Sequence, residues 1–314
     1  MPELVTLGET MAVLTARERG PLRYVRDYSM RIAGAESNVA VGVTKLGHSA
    51  GWISSIGKDE MGAFVRNSMR AEGVDTSRVA EEERYRTGLM LKELGSHETK
   101  VYYYRENSAA SHMDESHLDA DYICQAKILH MTGITPVLGE SCARMVRVAV
   151  RLACQEKILL SFDPNIRKKL WGHRDYGPLI REIMFASGVV LLGRDEAGEL
   201  LGTTEPDRIV AILRKEGVRW IAVKDGAAGA WVADPKDLIQ IPPYPCCPAD
   251  PVGAGDAFDA AFLAGILENR SLEVCGQMGA VAGALVTETQ GDTEGFPSRE
   301  TLQRCLEKKE EIYR

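Results

Sequence analysis

The segment Ala126–Phe162, AKILHMTGITPVLGESCARMVRVAVRLACQEKILLSF, holds one strand–helix–strand unit. A short apolar run, Ala126–Met131, is followed by a helical pattern over Glu140–Gln155 and by a second apolar run, Ile158–Phe162. Such runs are strand-sized, and the span between them accommodates a crossover helix. The pattern repeats in both directions. Strands are expected at Leu4–Leu7, Ala50–Ile56, Gly188–Leu192 and Trp220–Val223. Helices are expected at Glu36–Leu46, Met61–Glu72, Tyr176–Ala186, Glu196–Leu201 and Pro206–Glu216. This alternation specifies an α/β fold with a doubly wound, mostly parallel sheet. Ligands of such sheets bind beyond the carboxyl ends of the strands, so polar residues just after a strand are the ones to question.

Two segments break the alternation. Met11–Ile32 has strand character with no helix after it. Arg84–Tyr104 reads as a hairpin: Thr87–Leu94, a turn at Gly95-Ser96-His97-Glu98, then Thr99–Tyr104. Strands inserted at about 11–33 and 84–105 are too few for a domain of their own and suggest a small sheet over one edge of the core. It is either a lid or an inert edge. The last third is helical, over Gly255–Glu268, Leu272–Thr289 and Arg299–Tyr313, and no linker divides the chain.

With 314 residues, 45% hydrophobic and 26% charged, the chain can bury a large core without a staple. Its net charge of −7 opposes a nucleic-acid partner, and an acidic protein that binds an anion must gather its cations in the site. No apolar run approaches the roughly 20 residues of a membrane span, and the N-terminus lacks a signal peptide's basic region. The seven cysteines have no CxxC spacing; most read as buried, reduced hydrophobes, with Cys246-Cys247 in a loop between prolines. The expected location is the cytoplasm.

The strongest chemical signal is Asp250-Pro-Val-Gly-Ala-Gly-Asp256-Ala-Phe. Gly253, Ala254 and Gly255 let a backbone approach a ligand closely, and a helical run follows them. Their N–H groups then lie at the positive end of a helix, where anions and above all phosphate bind. Asp256 falls in the first helical turn. An Asp there also steadies a helix start, which suffices to explain a bare Gly-x-Gly-Asp but not the whole block. The glycines come too late in the chain for a dinucleotide fingerprint, and no GxxxxGK[ST] is present.

These residues carry a resemblance to the ribokinase-like (PfkB) carbohydrate kinases. The carriers are Ala33-Gly34-Ala35-Glu36-Ser37-Asn38, Gly57-Lys58-Asp59-Glu60-Met61-Gly62, Asp163-Pro164-Asn165-Ile166-Arg167, Val223-Lys224-Asp225-Gly226-Ala227-Ala228-Gly229 and the Asp250–Phe258 block. The resemblance implies a doubly wound sheet with a small β-lid in a single domain over 1–314, and transfer of the ATP γ-phosphoryl to a sugar hydroxyl with Mg2+. It implies Asp256 as the base and Gly253, Ala254 and Gly255 as the anion hole. Lys224, Gly226, Gly229, Gly253 and Gly255 then line the nucleotide. The family's Asn-x-x-Glu is Gly193-Arg194-Asp195-Glu196 here, so Glu196 is kept for metal while the Asn is lost.

Within the family the sequence looks most like the kinases of the acid sugar 2-keto-3-deoxygluconate, with fructokinases next. The carriers are Gly8-Glu9, Tyr102-Tyr103-Tyr104-Arg105, His130–Ile134 and Asp163–Trp171. Strand alternation puts Tyr103 and Arg105 on one face, and an arginine forks onto a carboxylate that a neutral hexose lacks. The expected substrate contacts are Gly34, Asn38, Tyr103, Arg105, Ile134, Arg167 and Asp256. Many neutral-sugar relatives carry an Asp about four positions after Gly-Glu, where this chain has Val13. An exposed lid sheet is an edge that another copy can pair with, so a homo-oligomer is expected.

Overall fold

The computed structural model describes residues 1–95 and 99–312, with side chains through Glu307. In chain order the strands are β1 (Leu4–Leu7), β2 (Met11–Arg19), β3 (Tyr28–Ala33), β4 (Ala50–Gly57), β5 (Asp75–Glu82), β6 (Leu89–Leu94), β7 (Thr99–Tyr104), β8 (Ile128–Thr132), β9 (Leu159–Asp163), β10 (Val189–Gly193), β11 (Trp220–Lys224), β12 (Ala230–Ala233) and β13 (Leu238–Ile241). The helices are α1 (Ala35–Lys45), α2 (Glu60–Ala71), α3 (Ala120–Cys124), α4 (Glu140–Glu156), α5 (Lys168–Trp171), α6 (Gly177–Phe185), α7 (Arg194–Leu201), α8 (Pro206–Lys215), α9 (Ala254–Leu267), α10 (Leu272–Val286) and α11 (Arg299–Ile312).

Among the described residues nine strands form the main sheet, in the order β13-β12-β11-β10-β9-β8-β1-β4-β5. Neighbours are parallel from β11 through β5, and β12 and β13 add an antiparallel edge. Side-chain alternation sends Val5, Leu7, Leu129, Met131, Val190 and Leu192 to one core and Leu4, Ile128, Val189 and Leu191 to the other. Helix α4 shows how a helix covers a face. Its buried residues Cys142, Met145, Val146, Ala149 and Ala153 recur at helical spacing, and Lys157 ends it in the left-handed conformation at φ 59°. With both faces covered, the strands read as near-continuous apolar runs.

The second sheet has the order β3-β2-β6-β7, its strands drawn from 11–33 and 89–104. Its inner face buries Met11, Val13, Ala33 and Met90. The turn residues Ser96, His97 and Glu98, like Tyr313, lie outside the described residues.

Three strands depart from the sequence reading. β5 reads DTSRVAEE and is largely half-buried or exposed, so it lacks an apolar run. β12 and β13 have four residues each, too short for a periodicity signal. The cysteines also correct the expectation: only Cys142 and Cys275 are buried, while Cys124, Cys154 and Cys247 are exposed. A cysteine on the outer stripe of an amphipathic helix shares its apolar neighbours in sequence but not in space.

Candidate active site

The carboxyl ends of β1, β8, β9, β10 and β11 open into a cavity of about 930 Å³ that the second sheet covers. Met11, Met90, Val101 and Tyr103 of that sheet form its roof, so the small sheet stands over the site as a lid. Another depression, about 660 Å³, lies at the opposite ends of β9–β11 and has no carboxylate among its described lining residues.

Helix α9 begins beneath the cavity. Its first intrahelical bond runs from Ala257 N–H to Gly253 C=O at 2.9 Å, so the N–H groups from Gly253 to Asp256 precede the helical ladder. Gly253 caps the helix with φ +82°, and a Cβ there would strike the Asp292 carbonyl oxygen. At Gly255 a Cβ would make only an ordinary contact, 3.6 Å from Lys224 Nζ. A cation therefore sits directly against the helix start.

Asp256 accepts a 2.7 Å hydrogen bond from Asn38 Nδ2 on α1. Burial pushes its carboxyl up to about 7; the Asn38 bond and Lys224 oppose the rise, while Asp163 and Asp292 add to it. That range suits a group that must accept a proton near neutrality. Lys224 donates to Asp163 Oδ2 at 3.0 Å and Asp259 Oδ1 at 2.9 Å. Burial opposes its charge, but Asp163, Asp259 and Glu196 outweigh burial and hold it above the usual lysine range.

The cavity lining brings together Gly34, Asn38, Tyr103, Arg105, Ile134, Arg167, Glu196, Lys224, Gly253, Ala254, Gly255 and Asp256. Gly34 has no room for a side chain, because a Cβ would strike the Glu9 carbonyl oxygen. Arg105 is ion-paired with buried Glu9, which also accepts from Ser108 Oγ, and its Nε has no hydrogen-bond partner. Arg167 is exposed at the cavity, before the first turn of α5. Gly226 and Gly229 lie outside the lining, in the turn after β11.

Glu196 turns both carboxylate oxygens onto backbone. Oε2 accepts from Gly193 N–H at 2.7 Å and Oε1 from Ile166 N–H at 2.6 Å, and burial followed by the Asp163 charge raises its pKa. No cluster of three or more metal-ligating side chains exists among the described residues. Magnesium held largely through nucleotide phosphates needs only one or two carboxylates, and Glu196 lines the cavity with both of its oxygens accepting from backbone.

Several site residues carry no role in the sequence reading. Glu36 is fully buried at the cavity wall; Thr132 and Thr135 hydroxyls donate to its Oε1 at 2.8 and 2.7 Å, and Oε2 has no partner. Lys92 and Asp292 form a buried ion pair, and Asn165 Oδ1 is buried without a partner. Asp259 follows Asp256 by three positions on one helix face, a spacing that could have flagged it.

A helix start stripped of side chains, beside a carboxyl poised near neutrality, suits transfer of a phosphoryl group to a hydroxyl. The chain belongs to the pfkB family of carbohydrate kinases, whose sequence profile matches residues 1–299. It is 35% identical to the 2-dehydro-3-deoxygluconokinase of Bacillus subtilis (strain 168), over 97% of this chain and 95% of that one. The enzyme of the same name from Thermoproteus tenax is 32% identical, over 98% and 94%. The crystal structure of a sugar kinase from Pyrococcus horikoshii in complex with ATP superposes with a TM-score of 0.82 at 26% identity, over 96% and 97% of the two chains.

Proposed function

We propose that this kinase transfers the γ-phosphoryl group of ATP to the 6-hydroxyl of 2-keto-3-deoxygluconate, in one domain that carries the small sheet as its lid. The observation that carries the acid-sugar reading is Arg105: its guanidinium lines the cavity, fixed by Glu9, with a buried Nε donor lacking a partner. A buried unpaired donor is costly, and a ligand carboxylate relieves that cost with a charge-assisted bond. Arg167 supplies a second guanidinium from the core side. The names of the relatives from Bacillus subtilis and Thermoproteus tenax support the same sugar, and the ATP complex of the Pyrococcus protein supports the donor.

Asp256 accepts the hydroxyl proton, Asn38 orients its carboxylate, and the N–H groups of Gly253, Ala254 and Gly255 bind the oxygens of the transferring group. Lys224 adds positive charge beside Gly255. Mg2+, when bound, neutralises phosphate charge, and Glu196 is the residue assigned to it. Gly226 and Gly229 are assigned to the outer, nucleotide end. The exposed Tyr24, Met30, Tyr102 and Tyr104 of the lid region suit pairing with a second copy. Seven unpaired cysteines suit a reducing compartment such as the cytoplasm.

The test is ADP release with 2-keto-3-deoxygluconate, fructose and ribose. A kcat/KM highest for the acid sugar is expected. A higher value for fructose makes the protein a fructokinase, and no ADP with any sugar overturns the kinase reading.

A further inference from the structure

The lid is fastened to the core at a place the chemistry above does not use. Lys92, on β6, donates from Nζ to Asp292 Oδ1 at 2.9 Å, and the two side chains are only 9% and 10% exposed. Asp292 belongs to the loop after α10, and its carbonyl is the group that excludes a side chain at Gly253. Arg31, on β3 of the same lid sheet with β2 between it and β6, reaches the same loop through the Gln290 carbonyl and Glu294. Both Lys92 and Asp292 line the cavity.

We propose that Lys92 is a positioning residue of the phosphoryl-transfer site: bonded to Asp292, it ties the lid to the loop behind the start of α9 and sets the net charge facing Asp256. Burying two charges is costly, so a pair that spans lid and core is stable only while both sides are closed around it. The inference rests on the reading of Asp256 as the base.

The charges around the base are few. Asp256 faces Asn38 from α1, Asp163 from the end of β9, Lys224 from the end of β11 and Asp292 from the loop. Asp292 in turn faces Lys92 from the lid, Glu294 in its own loop and Asp250 from the segment leading into α9. Lys92 is the lid's cation in this set. Removing it leaves Asp292 less compensated, and an extra negative charge near Asp256 makes its proton harder to lose. Removing the Asp292 charge does the opposite.

The experiment is the pH profile of kcat/KM for the sugar in wild type, Lys92→Met, Lys92→Arg and Asp292→Asn, with folding checked by circular dichroism. In Lys92→Met the acidic limb should move up by roughly one pH unit, because the uncompensated Asp292 carboxylate is a like charge near Asp256. Activity at pH 7 should fall about fivefold, as the ionised share of a carboxyl at about 7 drops from about one half to about one eleventh. Lys92→Arg should keep the wild-type limb, and Asp292→Asn should move it down. If Lys92→Met does not fold, Asp292→Asn decides: a downward shift supports the inference and an unmoved limb overturns it. A Lys92→Met limb that stays in place, even with a raised KM, makes Lys92 a plain substrate contact and overturns the inference alone. A wild-type profile with no acidic limb overturns both this inference and the role of Asp256.

Discussion

Arg105 and Glu9 are ion-paired beneath the lid, with 10% and 1% of their side chains exposed. The guanidinium that sequence reasoning offers to a substrate carboxylate is therefore already engaged on one side. Glu9 holds the fork in place and leaves Nε as the donor still unused. A charge-assisted contact is worth about 1.5–3 kcal/mol, so Arg105→Ala should cost roughly 10- to 150-fold in kcat/KM for the acid sugar. The loss for fructose should be much smaller. The ratio of the two kcat/KM values is the quantity to measure, and equal losses would make Arg105 a lid scaffold. Arg167→Ala should give the same asymmetry.

Gly253 and Gly226 both have positive φ, at 82° and 52°, but only Gly253 faces an obstruction. Gly253→Ala adds a clash with the Asp292 carbonyl to the backbone strain, which should cost on the order of 1–3 kcal/mol and displace the anion hole. Gly226→Ala, with open space around it, should cost less. Denaturant unfolding of the two variants orders them, and a Gly253→Ala protein as stable as wild type would show that the loop yields.

The raised pKa of Asp256, about 7, fixes two pH dependences. The base must be ionised, so kcat/KM should fall below about pH 7. The stability effect follows from proton binding. An unfolded aspartate loses its proton near pH 3.9, whereas the folded one keeps it to about 7. Between those values the folded state binds more protons, and stability falls as pH rises. Asp256→Asn removes that contribution. Its stability relative to wild type should therefore improve from pH 4 to pH 7, as read by unfolding at both values. An unchanging difference would show that the carboxyl is not raised.

Glu196 accepts two backbone N–H groups, which an amide with one oxygen cannot do in the same way. EDTA should abolish turnover. Glu196→Gln should raise the Mg2+ concentration needed for half-maximal activity several-fold. A superimposable Mg2+ titration would leave Glu196 with the start of α7 alone.

Legibility in the sequence follows the range of the interaction. Leu4–Leu7 is buried on both faces, and its mainly apolar run marks the strand residue for residue. Asp256 is legible because the glycines that free its helix start are its chain neighbours. The Lys92–Asp292 pair is not, since the partners are 200 positions apart and each alone reads as a solvated charge. Glu36 is hidden for the same reason: its donors Thr132, at the end of β8, and Thr135, just after it, lie 96 and 99 positions away. β5 escapes because an edge strand needs no apolar run.

The most direct test of the whole account compares kcat for wild type and Asp256→Asn, with ATP, Mg2+ and 2-keto-3-deoxygluconate, beside the Kd of each protein for sugar and nucleotide. Asn keeps the shape and can still pair with Asn38, but it cannot take a proton. Turnover should fall by about 10²- to 10⁴-fold, the usual worth of a general base, with both Kd values nearly unchanged. A variant that keeps near wild-type kcat would contradict the assignment of Asp256 and the mechanism built on it.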